Sequence, residues 1–292
     1  MIKIAARAKI NLFLEVTAKR PDGYHDLATL FARVGVADRL FLRKAAPGIK
    51  LVVQGGPREL GRQADNIVHK AAVEFFRVFR IEPAVEIKLE KIIPVGAGLG
   101  GGSSDAAAAL LGLARLYKLG ANTKPRLMKI AAALGSDVPF FMLEAMAAEG
   151  RGRGEKLKAI QFKGRLPYVV LVYPGAPVYT KEVYGNLKVG GKADIKARLA
   201  DFTKLKGLLK KGAFSKENAA LLFNRLEEPV LPRHKAVSLA KARLVELGAD
   251  AVLMSGSGAT VFALCWSGDL ARRVAASAGR IQGYKVFFTK FC

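Results

Sequence analysis

Pro94-Val95-Gly96-Ala97-Gly98-Leu99-Gly100-Gly101-Gly102-Ser103-Ser104-Asp105 runs directly into Ala106-Ala107-Ala108-Ala109-Leu110. Five glycines fall within seven residues, 96–102. Such a density weakens any regular element, and it makes sense where backbone must take φ > 0 or where a ligand approaches closely. The four alanines that follow are the best helix formers. The stretch therefore reads as a glycine loop opening a helix from about Ser104 to Tyr117, stopped by Gly120. Unpaired N–H groups at a helix start, together with the helix dipole, make an anion site, and phosphate is the anion most often held this way. Upstream, Val85, Ile87 and Leu89 alternate with Glu86 and Lys88, so a strand feeds the loop.

Gly96-x-Gly98-x-x-Gly101 matches the dinucleotide fingerprint, a weak signal when alone. The acid expected about 20 residues on, at the end of a second strand, is missing, because Gly120-Ala121-Asn122 reads as a helix end and a loop. No lysine sits in the loop, which removes a Walker A motif. Protein-kinase signatures are also absent from the sequence. What remains is a phosphate loop of small side chains that needs Mg²⁺ or distant cations to balance a triphosphate.

The 292 residues, 51% of them apolar, predict two domains at roughly 150 residues each. No run of about 18 apolar residues suggests a membrane span. Met1 leads straight into an alternating strand, so no leader peptide is expected. Cys265 and Cys292 form neither a disulfide framework nor a metal site, and three histidines lack zinc spacing. A reducing cytoplasm is the expected setting. The net charge of +24 points to acidic ligands. Between Lys181 and Lys216, ten Lys or Arg stand against three acids. That segment reads as a solvated face, with nucleic-acid binding as the rival, although no RNA- or DNA-binding motif accompanies it.

Residues 2–16 predict one or two strands. Ile10, Leu12, Leu14 and Val16 share one face, and Lys9, Asn11, Phe13 and Glu15 share the other. The plain reading is an amphipathic strand with a wet lysine. Arg20-Pro21-Asp22-Gly23 is a turn, and it displays Tyr24 and His25 at its exit. Residues 27–43 continue as strands. Asp65-Asn66 caps a helix over 67–79. A further helix runs from Pro125 to Leu134, and Asp137 then lies in a loop from helix to strand. Arg151-Gly152-Arg153-Gly154-Glu155 reads as a link between lobes. Beyond it come a strand over 168–173, a helix over 235–247, strands on either side of Ser255-Gly256-Ser257-Gly258, a helix over 268–278 and a strand over 284–291. The second half thus alternates strands and helices, which gives an α/β or α+β sandwich.

Taken together, Pro-x-Gly-x-Gly-Leu-Gly-Gly-Gly-Ser-Ser-Asp-Ala-Ala resembles the central motif of the GHMP kinases (galactokinase, homoserine kinase, mevalonate kinase and phosphomevalonate kinase). The other two motifs of that family have counterparts in Ala8-Lys9-Ile10-Asn11-Leu12 and in Met254-Ser255-Gly256-Ser257-Gly258-Ala259-Thr260-Val261-Phe262. Lys9-Ile10-Asn11-Leu12-Phe13-Leu14, Arg20 to His25, Gly135 to Phe141 and Gly152 to Glu155 look like one branch, which phosphorylates a small alcohol carrying cytidine diphosphate.

The resemblance implies a two-lobed kinase. Residues 1–158 would form the ATP-binding α/β lobe with the glycine loop, and residues 159–292 a ferredoxin-like α/β sandwich. By the same resemblance Asp137 takes the proton of the substrate hydroxyl, and Lys9 lies beside it. Residues 94–104 (Pro94, Val95, Gly96, Ala97, Gly98, Leu99, Gly100, Gly101, Gly102, Ser103 and Ser104) wrap the phosphates of ATP, with Mg²⁺ as counter-ion. Asn66 and Lys91 lie near the adenine. Asn11, Tyr24 and His25 hold the acceptor, and Tyr184 stacks on cytosine. Asp105, where other members often carry asparagine, is expected to point away from the phosphates. The chain departs from the branch at 144–149, which lacks the usual glycines, and at Ala259. Two rivals stand beside this reading: the same chemistry on homoserine or a mevalonate-type alcohol, and a non-catalytic nucleic-acid-binding protein.

Overall fold

A computed structural model describes residues 1–57, 60 and 65–292. Its contacts resolve into two compact units that interleave along the chain. One comprises Met1–Ala8, Val36–Val95 and Gly100–Glu144; the other comprises Lys9–Gly35, Gly96–Leu99 and Ala145–Cys292. Two long strands, β1 (Ile2–Lys19) and β2 (His25–Lys44), contribute residues to both units.

In the first unit, β3 (Gly48–Gln54) pairs in parallel with β4 (Ala84–Glu90). β4 in turn pairs antiparallel with residues 39–44 of β2, setting Leu40 opposite Leu89 and Leu42 opposite Ile87. Helix α1 (Ile67–Phe79) joins β3 to β4 as a crossover. It buries Val68, Ala71, Ala72, Phe75 and Phe76, the i, i+3, i+4 stripe of an amphipathic helix. Helix α2 (Gly101–Leu116) begins three residues earlier than its sequence suggested, because Gly100 takes a left-handed φ of 67° and turns the chain into it. The run Ala106–Ala109 is buried. A Cβ on Gly112 would come within 2.7 Å of Leu42 Cδ1, so small side chains let this helix lie close on the sheet. Helices α3 (Lys124–Leu134) and α4 (Val138–Met142) complete the unit against α1 and α2. Asp137 therefore sits between two helices, at the N-cap position of α4, and not in a helix-to-strand loop.

In the second unit, β5 (Ala147–Arg151) and β6 (Lys156–Ile160) form a hairpin whose outer edge continues onto residues 29–32 of β2. The glycine-rich stretch 151–155, read from sequence as an inter-lobe link, is the turn of this hairpin. Gly152 and Gly154 supply its φ values of 64° and 105°. Next come β7 (Tyr168–Tyr173), α5 (Thr180–Gly185), α6 (Lys192–Lys211), β8 (Phe223–Asn224) and α7 (Glu227–Val230). The chain closes with α8 (Lys235–Glu246), β9 (Ala251–Met254), β10 (Val261–Cys265), α9 (Gly268–Gly279) and β11 (Lys285–Thr289). The antiparallel order β11-β7-β10-β9, with α8 leading into β9 and α9 following β10 as the helices packed on the sheet, is the β-α-β-β-α-β ferredoxin-like pattern, with α5, α6, β8 and α7 inserted after β7. In the basic segment, Phe202, Leu205 and Leu209 of α6 are buried and its lysines are exposed except Lys206, which pairs with Glu149.

Strand β1 is buried on both faces from Ala8 to Leu14, and Glu15 and Val16 are buried beyond it. The amphipathic reading, with a wet lysine at position 9, does not hold: Lys9 is only 4% exposed. Among the described residues, no helix is long and apolar enough to cross a membrane.

Candidate functional site

Burying an ammonium group is costly unless polar partners hold it. Lys9 Nζ donates to Asn11 Oδ1 at 2.8 Å, Asn11 Nδ2 donates to Thr29 Oγ1 at 2.8 Å, and the Thr29 hydroxyl donates to the Phe13 carbonyl at 2.8 Å. Alternation along β1 puts residues 9 and 11 side by side, and β2 brings Thr29 across from them. The chain of bonds fixes the Asn11 amide so that its oxygen faces the ammonium. The face of Phe31 lies 5.6 Å from Lys9 Nζ, a further contact that favours the cation.

Three separated motifs converge at this lysine. The Lys9 N–H donates to the Leu99 carbonyl at 3.0 Å, which joins β1 to the glycine stretch. The turn after β9 presses equally close. A Cβ on Gly256 would lie 3.1 Å from Lys9 Nζ and 3.2 Å from Asn11 Oδ1. Gly98, at φ 72°, is packed against the same turn, and a Cβ there would collide with the carbonyls of Ser255 and Gly258. Thr260 N–H donates to the Ala97 carbonyl at 3.1 Å, Ser255 Oγ to the Gly98 carbonyl at 3.0 Å, and Val178 N–H to the Gly96 carbonyl at 3.3 Å. Residues 96–99 are thus clasped from both sides by backbone.

Tyr24 and His25 leave the 20–23 turn in different environments. Tyr24 is 53% exposed, and one face of its ring is covered by the Arg153 guanidinium at 4.7 Å. His25 is buried, and its ring lies 5.1 Å from that of Tyr184 in a tilted pair. Burial, with Lys19 nearby, holds the His25 imidazole below its ordinary pKa, so it is neutral at pH 7.

In the first unit, Gly100 is the N-cap of α2 and no side chain caps it. Ser104 N–H already donates to the Gly100 carbonyl at 2.9 Å. The N–H groups of the turn before it are those a helix start leaves for an anion. Gly102 is exposed, Ser103 half-buried and Ser104 buried. Pro94 is half-buried and Val95 exposed at the loop's entry. Asn66 is the N-cap of α1: its Oδ1 accepts from Val68 N–H at 2.9 Å and its Nδ2 donates to the Leu60 carbonyl at 2.8 Å. Lys91 is not a free cation at the loop entry. Its side chain is 3% exposed and ion-paired with both Asp38 and Asp105. Asp105 accordingly turns inward, to Lys91. Asp137 is half-buried ahead of the wholly buried α4.

Some participants escaped the sequence reading. Thr29 and Asn224 carry no motif; Asn224 Nδ2 holds the carbonyls of Met254 and Gly256 at 2.8 and 2.7 Å and so shapes the turn beside Lys9. Asp38 did leave a signal. It lies in phase with Val34, Leu40 and Leu42, the inward positions of β2, where an acid is out of place unless something pairs with it.

Among the described residues, no group of three or more His, Cys, Asp or Glu side chains is arranged to hold a metal ion. Family profiles match residues 66–145 as the GHMP kinases N terminal domain and residues 205–285 as the GHMP kinases C terminal domain. The chain is 42% identical over 277 residues to a 4-diphosphocytidyl-2-C-methyl-D-erythritol kinase of Pelotomaculum thermopropionicum, covering 94% of this chain and 93% of that one. A protein of the same name from Exiguobacterium sibiricum is 41% identical over 280 residues, covering 94% and 92%. A crystal structure of 4-(cytidine 5'-diphospho)-2C-methyl-D-erythritol kinase superposes with a TM-score of 0.78 at 35% identity, covering both chains fully. Homoserine kinase from Cytophaga hutchinsonii superposes at 0.76 with 18% identity over 99% of this chain and 94% of that one, a likeness of fold.

Proposed function

The chain belongs to the GHMP kinases, and on that premise we propose that it transfers the γ-phosphoryl group of ATP to the 2-hydroxyl of 4-diphosphocytidyl-2-C-methyl-D-erythritol. ADP and the 2-phosphate are the products, in a step of non-mevalonate isoprenoid precursor biosynthesis. The observation that carries this reading is the meeting of three motifs at one buried ammonium group, Lys9, held by Asn11 and backed by Leu99 and Gly256.

Phosphoryl transfer asks little covalent work of a protein; it asks for position and charge. Asp137 takes the hydroxyl proton as the acceptor oxygen bonds to the γ-phosphorus, and the bond to the β–γ bridging oxygen breaks to release ADP. Lys9 stabilises charge on the transferring group, and its burial strengthens the effect. Residues 94–104 wrap the phosphates, with the N–H groups that open α2 as donors, and Asn66 borders the adenine. Lys91 serves that end through its backbone, since its ammonium is committed inward. Magnesium enters as part of the Mg-ATP substrate. Asn11, Tyr24, His25 and Tyr184 hold the acceptor, and the His25–Tyr184 ring pair gives a cytosine base something to stack on. We place the two sequence domains at 1–158 and 159–292, and the enzyme in the cytoplasm.

Purified protein with Mg-ATP and the cytidine substrate is expected to release ADP. Replacing Asp137→Ala lowers kcat by about 10²–10⁴, the usual contribution of a general base, with an unchanged thermal midpoint. Full turnover in that variant refutes the base assignment.

A further inference from the structure

Helix α2 must offer its first N–H groups at a fixed place if they are to bind phosphate, yet no side chain caps its start. A cap would consume the very donors the ligand needs. Something else has to hold the helix N-terminus, and the first unit contains it.

Where β4 ends, the chain leaves the sheet at Lys91, whose N–H still donates to Gln54 at 2.8 Å. The next two N–H groups, of Ile92 and Ile93, both donate to Asp38 Oδ1, at 2.5 and 2.8 Å. Asp38 Oδ2 pairs with Lys91 Nζ, and Lys91 Nζ donates onward to Asp105 Oδ2 at 2.8 Å. Asp38 lies on β2, Lys91 at the loop entry and Asp105 in α2, so one ammonium ties strand, loop and helix together. All three side chains are within 3% of full burial. The first residue of α2 rests directly on this cluster: a Cβ on Gly101 would come within 3.0 Å of Lys91 Nζ and 2.9 Å of Ile93 Cγ2.

A buried ion cluster is a poor source of stability, because desolvation offsets the attraction, but removing one partner leaves an uncompensated charge. Its benefit lies in allowing one arrangement only. We propose that Asp38 and Asp105 are positioning residues for nucleotide binding, acting through Lys91 to set where the uncapped start of α2 presents its N–H groups. The proposal rests on the reading that residues 94–104 bind the phosphates of ATP.

The two acids are not equivalent. Asp38 accepts from two backbone N–H groups and an ammonium. Asp105 is held by Lys91 alone among cations and lies beside the acid of Asp38, and its buried Oδ1 accepts no hydrogen bond among the described residues. Asp38 is therefore the more firmly held anchor, and its replacement carries the larger effect.

The test uses the full chain and a non-hydrolysable ATP analogue. Calorimetry reads analogue affinity, and steady-state kinetics read kcat and the KM of the cytidine substrate. In Asp38→Asn the analogue is expected to bind about tenfold more weakly, while kcat at saturating ATP and the KM of the cytidine substrate stay within twofold. A merely structural role would lower the active fraction and leave analogue affinity unchanged. Asp105→Asn is expected to weaken the analogue about threefold, and it carries the test if Asp38→Asn does not fold. Lys91→Met combined with Asp38→Asn should lose no more than the worse single variant. Unchanged analogue affinity in a folded Asp38→Asn, or additive losses in the double variant, overturns the proposal. Hydrogen exchange separates the two readings. If the analogue leaves residues 94–104 unprotected in the parent protein, the loop assignment fails and the proposal with it. If they are protected and Asp38→Asn binds normally, the proposal alone fails.

Discussion

At the scale of single residues, the chemistry of a side chain was legible in the sequence, but its surroundings were not. Lys9 and Asn11 could be placed on one face of a strand, yet the burial of both faces depends on residues far along the chain. His25 shows what that burial does. Its imidazole is held below its ordinary pKa by desolvation, with Lys19 adding to the effect. The unfolded chain, with His near 6.5, therefore binds a proton at higher pH than the folded one. By linkage, stability rises with pH wherever the unfolded state holds more protons. The His25 contribution is thus fully present above about pH 6.5 and is lost as the pH falls through the folded-state pKa. Urea midpoints between pH 5 and 8 are expected to drop below pH 6.5 in the parent protein and to drop less in His25→Gln. Parallel curves refute this account.

At the scale of elements, the strand, loop and helix around residues 94–105 could be read directly, because alternation, glycine density and an alanine run are local signals. The division of labour among the glycines could not. Gly98 answers to the fold. Its φ of 72° alone costs an alanine roughly 1–2 kcal/mol, and a Cβ would also strike the carbonyls of Ser255 and Gly258. Gly102 is different: it is helical and exposed, and a Cβ would meet nothing nearer than Ile67 Cγ2 at 3.7 Å. Gly98→Ala should therefore lower both thermal stability and turnover. Gly102→Ala should leave stability unchanged or raise it by up to about 1 kcal/mol through helix propensity. It should nonetheless weaken ATP at least tenfold, by placing a methyl group where phosphate approaches backbone. A Gly102→Ala variant with normal affinity for ATP would remove the first turn of α2 from the phosphate site. The hairpin at 151–156 shows the limit of local reading. Its glycines read as a link between lobes, and only the pairing of β5 with β6 and with residues 29–32 of β2 shows that they turn a hairpin within a sheet.

For the whole molecule, the alternation of strands and helices after residue 168 indicated a layered sandwich, and the resemblance to the GHMP kinases supplied its ferredoxin-like order. The interleaving of the two units was hidden, because β1, β2 and the glycine stretch each pass from one unit to the other, and such crossings leave no mark on composition. Charge is the remaining property of the chain as a whole. With 48 Lys and Arg against 24 Asp and Glu, the protein carries +24, while both ligands of the proposed reaction are polyanions. Many of these cations are exposed, as along α6, and act at a distance through their summed field. That field is screened as the Debye length shrinks from roughly 10 Å at 0.1 M salt to 3 Å at 1 M. Contacts made by buried groups, such as the one proposed between Lys9 and phosphate, are screened far less. Raising KCl from ~0.05 to ~0.5 M is therefore expected to lower kcat/KM for the cytidine substrate about tenfold while kcat changes less than twofold. A fall in kcat of the same size would locate the salt effect in the chemical step, and the excess charge would then have no part in capture.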